Sequence, residues 1–302
     1  MVTRISTSFL NSTLVNRLQT SNVQIARNTY QISSGLEARR YEDISTETNA
    51  LFDLKELRSS NERYIRNIED VTARLSSSEN ALQGLSDLMA DASNLWTLGR
   101  NENSAESRAA LAPKAEALTR TFYQLFQTQF EGRYIFSGQA SENPPLNQSP
   151  TANISPGNPA PTTYYTGDVA RPSVITGEGI QIPYGVTGDQ QGFADMLAGL
   201  EALWFGLENN STTEIDNAIE LLNNAQTELS DMLGEIGGQI ESLNLLKDRH
   251  ESANINITER VDDIEKADIT EAISNYSANQ AVLESSMAIL ARLQSTSLLD
   301  FI

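Results

Sequence analysis

The sequence predicts a mainly α-helical fold: a long helical-bundle or coiled-coil rod formed by the N- and C-terminal halves, carrying a small β-containing insert. Three observations lead there. Apolar heptads run through residues 54–96 and 215–264, and a further helical stretch occupies 269–293. Between them, residues 138–192 hold eight of the nine prolines and eight of the seventeen glycines.

At the amino terminus, Leu10, Leu14, Leu18, Ile25 and Ile32 form a thin apolar stripe interrupted by Ser21 and Asn28. Such a helix is marginal alone, because helices in water owe most of their stability to packing of an apolar face. From Leu54, alternating steps of three and four give Leu57, Asn61, Tyr64, Ile68, Val71, Leu75, Ser78, Leu82, Leu85, Met89, Ala92 and Trp96. A 3.5-residue repeat of that length keeps one seam facing a partner helix over about 65 Å. Asn103 with Glu106 has the capping-box spacing, and Pro113 predicts a helix that begins near Ala112 or kinks there. That helix carries a short seam through Leu111, Ala115, Leu118, Phe122 and Leu125.

Turn-forming residues fill 143–161. Strand signals follow at 164–166, 173–176 and 179–186, with a hairpin turn at Thr176, Gly177, Glu178 and Gly179. Helix resumes near Phe193, with Met196, Leu197, Leu200 and Leu203 on one face. The second long seam reads Ile215, Ile219, Leu222, Gln226, Leu229, Leu233, Ile236, Ile240 and Leu243. It weakens at Lys247, His250 and Asn254, then resumes at Ile257, Val261 and Ile264. The two long seams can bury each other in either direction. Asp268 with Glu271 caps the last helix just before Ile269, Ile273 and Tyr276, and its Val282, Leu283, Met287, Ile289, Leu290 and Leu293 spread beyond one narrow stripe. The resulting division is residues 1–40 and 270–302 as terminal helices, 41–137 and 193–269 as the rod, and 138–192 as the insert.

Composition excludes several classes. Forty acidic against 21 basic residues leave a net charge of −19, which disfavours nucleic-acid phosphates and anionic membrane surfaces. There is no cysteine, hence no disulfide or thiolate chemistry. No apolar run is long enough for a secretory signal or a membrane span. The seams read as core packing before any cofactor box. Gly234 and Gly238 form GxxxG, read as close helix approach or helix weakening. His250 lacks the companions a zinc site needs. Asp262, Asp263, Glu265 and Asp268 lack the glycine-centred loop of a calcium site and read as a solvated face. With none of the common hydrolase, phosphate-loop or metalloprotease motifs, no catalytic residue, cofactor or metal is assigned.

The run RISTSFLNSTLVNRL, followed by QISSGLEARRYEDISTETNAL, resembles the amino-terminal signature of the flagellin superfamily, which places an ISSG turn between its first two helices. EGRYIFSGQASENPPL at 131–146, YYTGD at 164–168, GEIGG at 234–238 and the ending SLLDFI resemble the hook–filament junction branch of that superfamily. After the ISSG turn, where that branch often has paired aspartates and a proline, Tyr41, Glu42, Asp43 and Ile44 stand instead. The resemblance implies a structural, non-enzymatic subunit of the bacterial flagellum, located outside the cell. It implies export by the flagellar type III route with a chaperone and without a cleaved signal peptide, and assembly as a ring between hook-associated protein 1 and flagellin. It also implies terminal segments that are mobile in the monomer and pair on assembly. The expected assembly interface is Leu10, Leu14, Leu18, Ile25, Ile32, Leu283, Met287, Leu290, Leu293, Leu298, Leu299 and Phe301. The alternatives are a filament subunit of the flagellin type and, more distantly, a glycan-active enzyme or adhesin carried on the insert.

Overall fold

The structure, a computed structural model, describes residues 7–44, 47–102, 104–146 and 164–299. Among them the helices are α1 (Thr7–Ser34), α2 (Thr48–Asn101), α3 (Ala105–Ala109), α4 (Ala112–Phe126), α5 (Gln191–Glu208), α6 (Thr212–Glu265) and α7 (Ile269–Leu299), with a 3₁₀ turn at Tyr41–Ile44. Two antiparallel hairpins complete it: β1 (Gln129–Phe130) with β2 (Arg133–Tyr134), and β3 (Ser173–Gly177) with β4 (Ile180–Pro183). The chain divides into two compact units, residues 1–60 with 253–302 and residues 61–252, the division falling within α2 and α6.

In the unit 61–252 the two long helices run antiparallel. Arg100 pairs with Asp216 at 2.7 Å, Gln226 donates to Ser86 Oγ at 3.4 Å, and Lys247 reaches Glu69 at 3.1 Å. These partners descend along one helix as they rise along the other. From Asn61 to Ala92 the expected α2 seam is buried apart from half-buried Tyr64. In this unit the buried positions on α6 are Ile215, Ala218, Leu222, Ala225, Leu229, Met232, Ile236 and Leu243. Small Ala218 and Ala225 therefore hold seam positions for which Ile219 and Gln226 were expected. His250 sits in the antiparallel pair as a packed residue: Nε2 donates to the Thr176 carbonyl at 2.8 Å, and Nδ1 lies 3.2 Å from Asn61 Oδ1.

Helix α5 differs most from its sequence reading. Instead of one apolar face it is buried on nearly every side, from Gly192 to Leu207 with Trp204 and Phe205 excepted. Room for this comes from glycine at every seventh residue. A Cβ on Gly192 would lie 2.6 Å from Glu228 Cβ, on Gly199 2.9 Å from Leu222 Cγ, and on Gly206 2.9 Å from the Ile215 nitrogen. Gly99 of α2 similarly faces Leu207. At each of these positions an added side chain would collide with the facing helix, so the glycines set how closely α5 approaches it.

The short helices follow their local chemistry. α4 starts at Ala112 with Pro113 in its first turn, where the missing N–H costs nothing. The cap before α3 is Ser104, whose Oγ accepts from Ser107 N at 3.1 Å; the expected cap, Asn103, lies outside the described residues. α4 buries Ala112, Ala115, Thr119, Phe122 and Phe126, a face rotated from the expected Leu111–Leu125 seam. Phe126 then anchors an aromatic cluster, 5.4 Å from Phe122, 5.5 Å from Phe136 and 4.8 Å from Phe193 between ring centroids.

Two motif blocks from the sequence dock on one another here. In EGRYIFSG, Glu131 and Gly132 both have positive φ, which makes the two-residue β1–β2 turn whose twist matches the strands. In YYTGD, Tyr164 Oη donates to the Gly188 carbonyl at 2.6 Å, and Tyr165 Oη lies 2.9 Å from the carbonyls of Phe136 and Asp168. Residues 164–166 contribute a single bridge, Leu146 with Tyr165, rather than a strand. The hairpin at 176–179 forms as expected, with Gly179 at φ 68°. Leu146, Tyr164, Val174 and Val186 all belong to the same apolar core as Leu82 and Leu222. Residues 147–163, most of the turn-rich stretch, lie outside the described residues.

The glycines of GEIGG read the opposite way from those of α5. Nothing lies within 4 Å of a Cβ placed on Gly234, Gly237 or Gly238. Close helix approach is excluded for the described residues, and helix weakening remains. Two substitutions with opposite signs follow. Gly206→Ala should destabilise by about 1–3 kcal/mol, since its methyl meets backbone, whereas Gly238→Ala should stabilise by about 0.5–1 kcal/mol. Thermal melts of the two variants check this; equal shifts would contradict the packing described.

One buried acid remains. Glu201 on α5 is 7% exposed, and its Oε1 has no hydrogen-bond partner. Burial pushes its carboxyl up to about 7 from an ordinary 4.5. A raised carboxyl pKa means the native state keeps a proton that the unfolded chain loses. Stability is therefore highest below the unfolded value and falls as pH rises from about 4.5 through about 7. The loss is roughly 2 kcal/mol once partial solvent screening is allowed for. Comparing the pH dependence of melting for the wild type and Glu201→Gln tests this: the curves should converge near pH 5 and separate above pH 7, the variant being the more stable.

Candidate assembly surface

The unit formed by residues 1–60 and 253–302 is built on α1 packed against α7. A heptad progression of α1, Leu14, Leu18, Ser21, Ile25, Asn28 and Ile32, is covered, and so is one of α7, Ala272, Tyr276, Asn279, Leu283, Ser286 and Leu290, with the same spacing. Of these, Leu14, Ser21, Asn28, Ala272 and Ser286 are buried and the others half-buried. This seam is small and polar compared with the leucine-rich seam of α2. Asn28 Nδ2 is buried without a partner, an arrangement that costs about 1–3 kcal/mol and that coiled coils use to fix register rather than to gain stability.

The connections at the base of this pair are fixed by backbone. Helix α1 ends at the ISSG turn: Ser34 Oγ donates to the Tyr30 carbonyl at 2.7 Å, and Gly35, at φ 72°, supplies the left-handed residue that ends the helix. The chain then pairs antiparallel with the link between α6 and α7. Glu37 N donates to the Glu265 carbonyl at 2.8 Å and Ala267 N to the Gly35 carbonyl at 3.0 Å. Glu37 also accepts from Arg27 at 2.7 Å and from Gln31 Nε2 at 3.0 Å. Asp268 caps α7 as the sequence indicated, its Oδ1 accepting from Thr270 N at 2.8 Å and Glu271 N at 3.0 Å. Below this sits a separate small core of Leu51, Ile257 and Val261, flanked by Leu54 and Ile264. Leu57, a seam position in the sequence reading, is exposed here. The Lys55 ammonium pairs with Glu265, and that hydrogen bond raises its pKa.

The expected interface residues divide accordingly. Leu14 is buried, and Leu18, Ile25, Ile32, Leu283 and Leu290 are half-buried along the α1–α7 seam, while Met287 is exposed. Leu10, Leu293, Leu298 and Leu299 lie on the two helices with side chains outside the described part, and Phe301 lies outside the described residues. Besides Met287, the outward apolar side chains are others. Phe9 and Val23 are each 66% exposed, and Val15, Ile269, Ile273, Val282 and Ile289 are exposed as well. On α7 the sequence reading counted Ile269, Ile273, Val282 and Ile289 among the apolar positions without assigning them to the interface; on α1, Val15 and Val23 flank the seam by one or two positions. Exposed apolar side chains concentrated on one helix pair mark an interaction surface. Among the described residues no cluster of three or more His, Cys, Asp or Glu side chains is placed to hold a metal, and no helix is long and apolar enough to cross a membrane.

Residues 5–141 match the bacterial flagellin N-terminal helical region and residues 212–302 the bacterial flagellin C-terminal helical region, three quarters of the chain between them. The chain belongs to the bacterial flagellin family. Along its whole length, this flagellin-family chain is 24% identical over 318 residues to flagellar hook-associated protein 3 of Salmonella typhimurium, covering 98% of each. Its fold is similar to that of a flagellar hook-associated protein from Vibrio parahaemolyticus, with a TM-score of 0.64 at 20% identity over 74% of this chain and 100% of that one. It is also similar to FlgL of Bacillus cereus, with a TM-score of 0.57 at 16% identity over 70% of this chain and 99% of that one. The family is a structural component of flagella.

The polar seam generates a test. Asn28→Leu should strengthen the α1–α7 pair, raising amide hydrogen-exchange protection in both helices by about tenfold, because an unpaired buried amide is replaced by apolar contact. Unchanged protection would show that Asn28 is not desolvated in the seam.

Proposed function

We propose that the chain is a structural subunit of the flagellum that joins hook to filament, assembling through its terminal helix pair. The observation that supports this best is the α1–α7 unit itself, whose internal seam interrupts its leucines and isoleucines with Ser21, Asn28, Ala272, Asn279 and Ser286 while Phe9, Val23, Ile273 and Met287 face outward. A monomer gains little from such a distribution. A subunit whose neighbours cover those residues gains the apolar contact, at roughly 25 cal/mol per Å² removed from water. Full-length similarity to a hook-associated protein supports the junction position over a repeating filament position. In this reading the neighbours are a hook-associated protein 1 on one side and flagellin on the other, copies of the chain form a ring, and the flagellar export apparatus with a chaperone delivers it. The second reading, a filament subunit, draws on the match to the flagellin terminal regions, which both roles share. Antibody labelling of purified flagella separates them: a single band at the hook end fits the junction, and label along the filament fits the alternative.

The same surface can be tested by substitution. Ile273→Asp and Met287→Asp place charge on exposed positions, so the monomer should keep its melting temperature while filament retention and motility fail. Ile68→Asp buries an unpaired charge at a position with no exposed surface, costs several kcal/mol and should unfold the monomer. Full motility of Ile273→Asp and Met287→Asp together would remove this face from the assembly.

A further inference from the structure

The register of the α1–α7 pair leaves its polar residues unmatched. Asn28 and Ala272 line one cleft between the two helices, and Ser21 and Asn279 line the next. The helices are antiparallel, so the same register sets Leu14 level with Ser286 and Leu18 level with Leu283. Two of these layers are mixed: an amide meets a methyl, and a leucine meets a hydroxyl. Asn28 Nδ2 is accordingly buried with no hydrogen-bond partner.

Moving α1 along α7 by one heptad, away from the base of the pair, removes the mismatch. Asn28 then meets Asn279, Ser21 meets Ser286, Leu18 meets Leu290 and Ile25 meets Leu283, so amide faces amide, hydroxyl faces hydroxyl and apolar faces apolar. All eight residues are already buried or half-buried, and because both helices carry the same spacing they exchange partners within the seam. One heptad in the opposite direction gives no such match, since it sets Leu14 against Asn279 and Ser21 against Ala272. A buried asparagine at a seam position is a register-selecting residue. The chain also permits the move. Two backbone hydrogen bonds hold the end of α1 at the base, Glu37 N to the Glu265 carbonyl and Ala267 N to the Gly35 carbonyl, while Arg27 and Gln31 tie Glu37 to α1 itself. With those two bonds open, the thirteen residues between α1 and α2 reach about 40 Å, against a shift of about 10 Å.

We propose that the α1–α7 pair has a second register, one heptad on, in which Asn28 pairs with Asn279. Packed elements with two such arrangements pass between them in discrete steps. The shift of about 10 Å carries Phe9, Val15 and Val23 of α1 to a different level from Ile273, Val282 and Ile289 of α7, so copies of one chain present two differently staggered apolar faces and can meet unlike neighbours. That use rests on reading the outward side chains as an assembly surface; the second register itself does not.

The chain has no cysteine, so introduced pairs report register in the full-length protein. Leu18→Cys is combined with Leu283→Cys for the register of the structure, with Leu290→Cys for the second register, and with Tyr276→Cys for the opposite shift. A disulfide needs Cα atoms within about 7 Å, less than one heptad of travel, so each pair closes in one register alone. Under mild oxidant at low protein concentration, with helicity checked by circular dichroism, the Leu283 and Leu290 pairs should both close within one chain while the Tyr276 pair stays open. Ala272→Asn gives Asn28 a partner in the first register, and the adjoining cleft of about 300 Å³ has room for it; adding it should cut the Leu290 product about tenfold, as should Asn28→Leu. Ile25→Cys with Tyr276→Cys or with Leu283→Cys repeats the comparison on the next layer, should a Leu18 pair fail to fold. The proposal is overturned if the second-register pairs close no faster than the opposite-shift pair, if their products join two chains, or if Ala272→Asn leaves their yield unchanged. No neighbour takes part in this measurement, so its failure leaves the Ile273→Asp and Met287→Asp test of the assembly face standing.

Discussion

The close approach of α5 to α6 is the constraint on which the core of residues 61–252 depends. A helix buried on nearly all sides must lie nearer its neighbours than side chains normally permit, and glycine at 192, 199 and 206 provides that distance. Around α5 the other elements take their places. Phe193 brings its first turn into the ring cluster of Phe126 and Phe136, and Leu207 fills the gap at Gly99. Once Phe136 is fixed, Tyr164 and Tyr165 close on the backbone around it. The proline-rich middle of the sequence thereby enters the same apolar cluster as the long helices.

The terminal unit is organised by the reverse logic. Its helices meet through a seam in which Ser21, Asn28, Ala272 and Ser286 alternate with Leu14, Leu18, Ile25, Ile32, Leu283 and Leu290, while Phe9, Val23, Ile273 and Met287 are turned away. A seam of that kind holds register with little energy. Backbone pairing of Glu37 with Glu265 and of Ala267 with Gly35 fixes where both helices begin. Position is set locally, and affinity is left to neighbours.

Much of this was legible in the sequence because it follows from period and from short-range chemistry. The 3.5-residue repeat located the α2 seam from Asn61 to Ala92, Asp268 with Glu271 marked the start of α7, and Pro113 marked the start of α4. What the sequence hid was long-range. Direction of the α2–α6 pairing depends on which side chains meet across more than a hundred residues, as Arg100 and Asp216 do. The burial of α5 was missed because hydrophobicity was read face by face; its signal was the seven-residue spacing of Gly192, Gly199 and Gly206. On α1 and α7, apolar residues were assigned outward as a group, whereas the structure separates Leu14 and Leu290 from Val23 and Met287 by a rotation of one or two positions. Periodicity locates a stripe, but only a partner's position decides which edge of it is covered.

The glycine run in α6 has a mechanical consequence. Gly234, Gly237 and Gly238 present bare backbone with nothing packed over it, while the adjacent Glu235 is tied to Arg171 and Gln239 Oε1 accepts from Gly185 N at 2.7 Å. A helix loaded sideways yields where side chains shield its hydrogen bonds least and where the chain is cheapest to bend. In a 54-residue helix, that point lies near the middle and is braced on one side. Such a beam has a compliant section and a preferred direction of flexure.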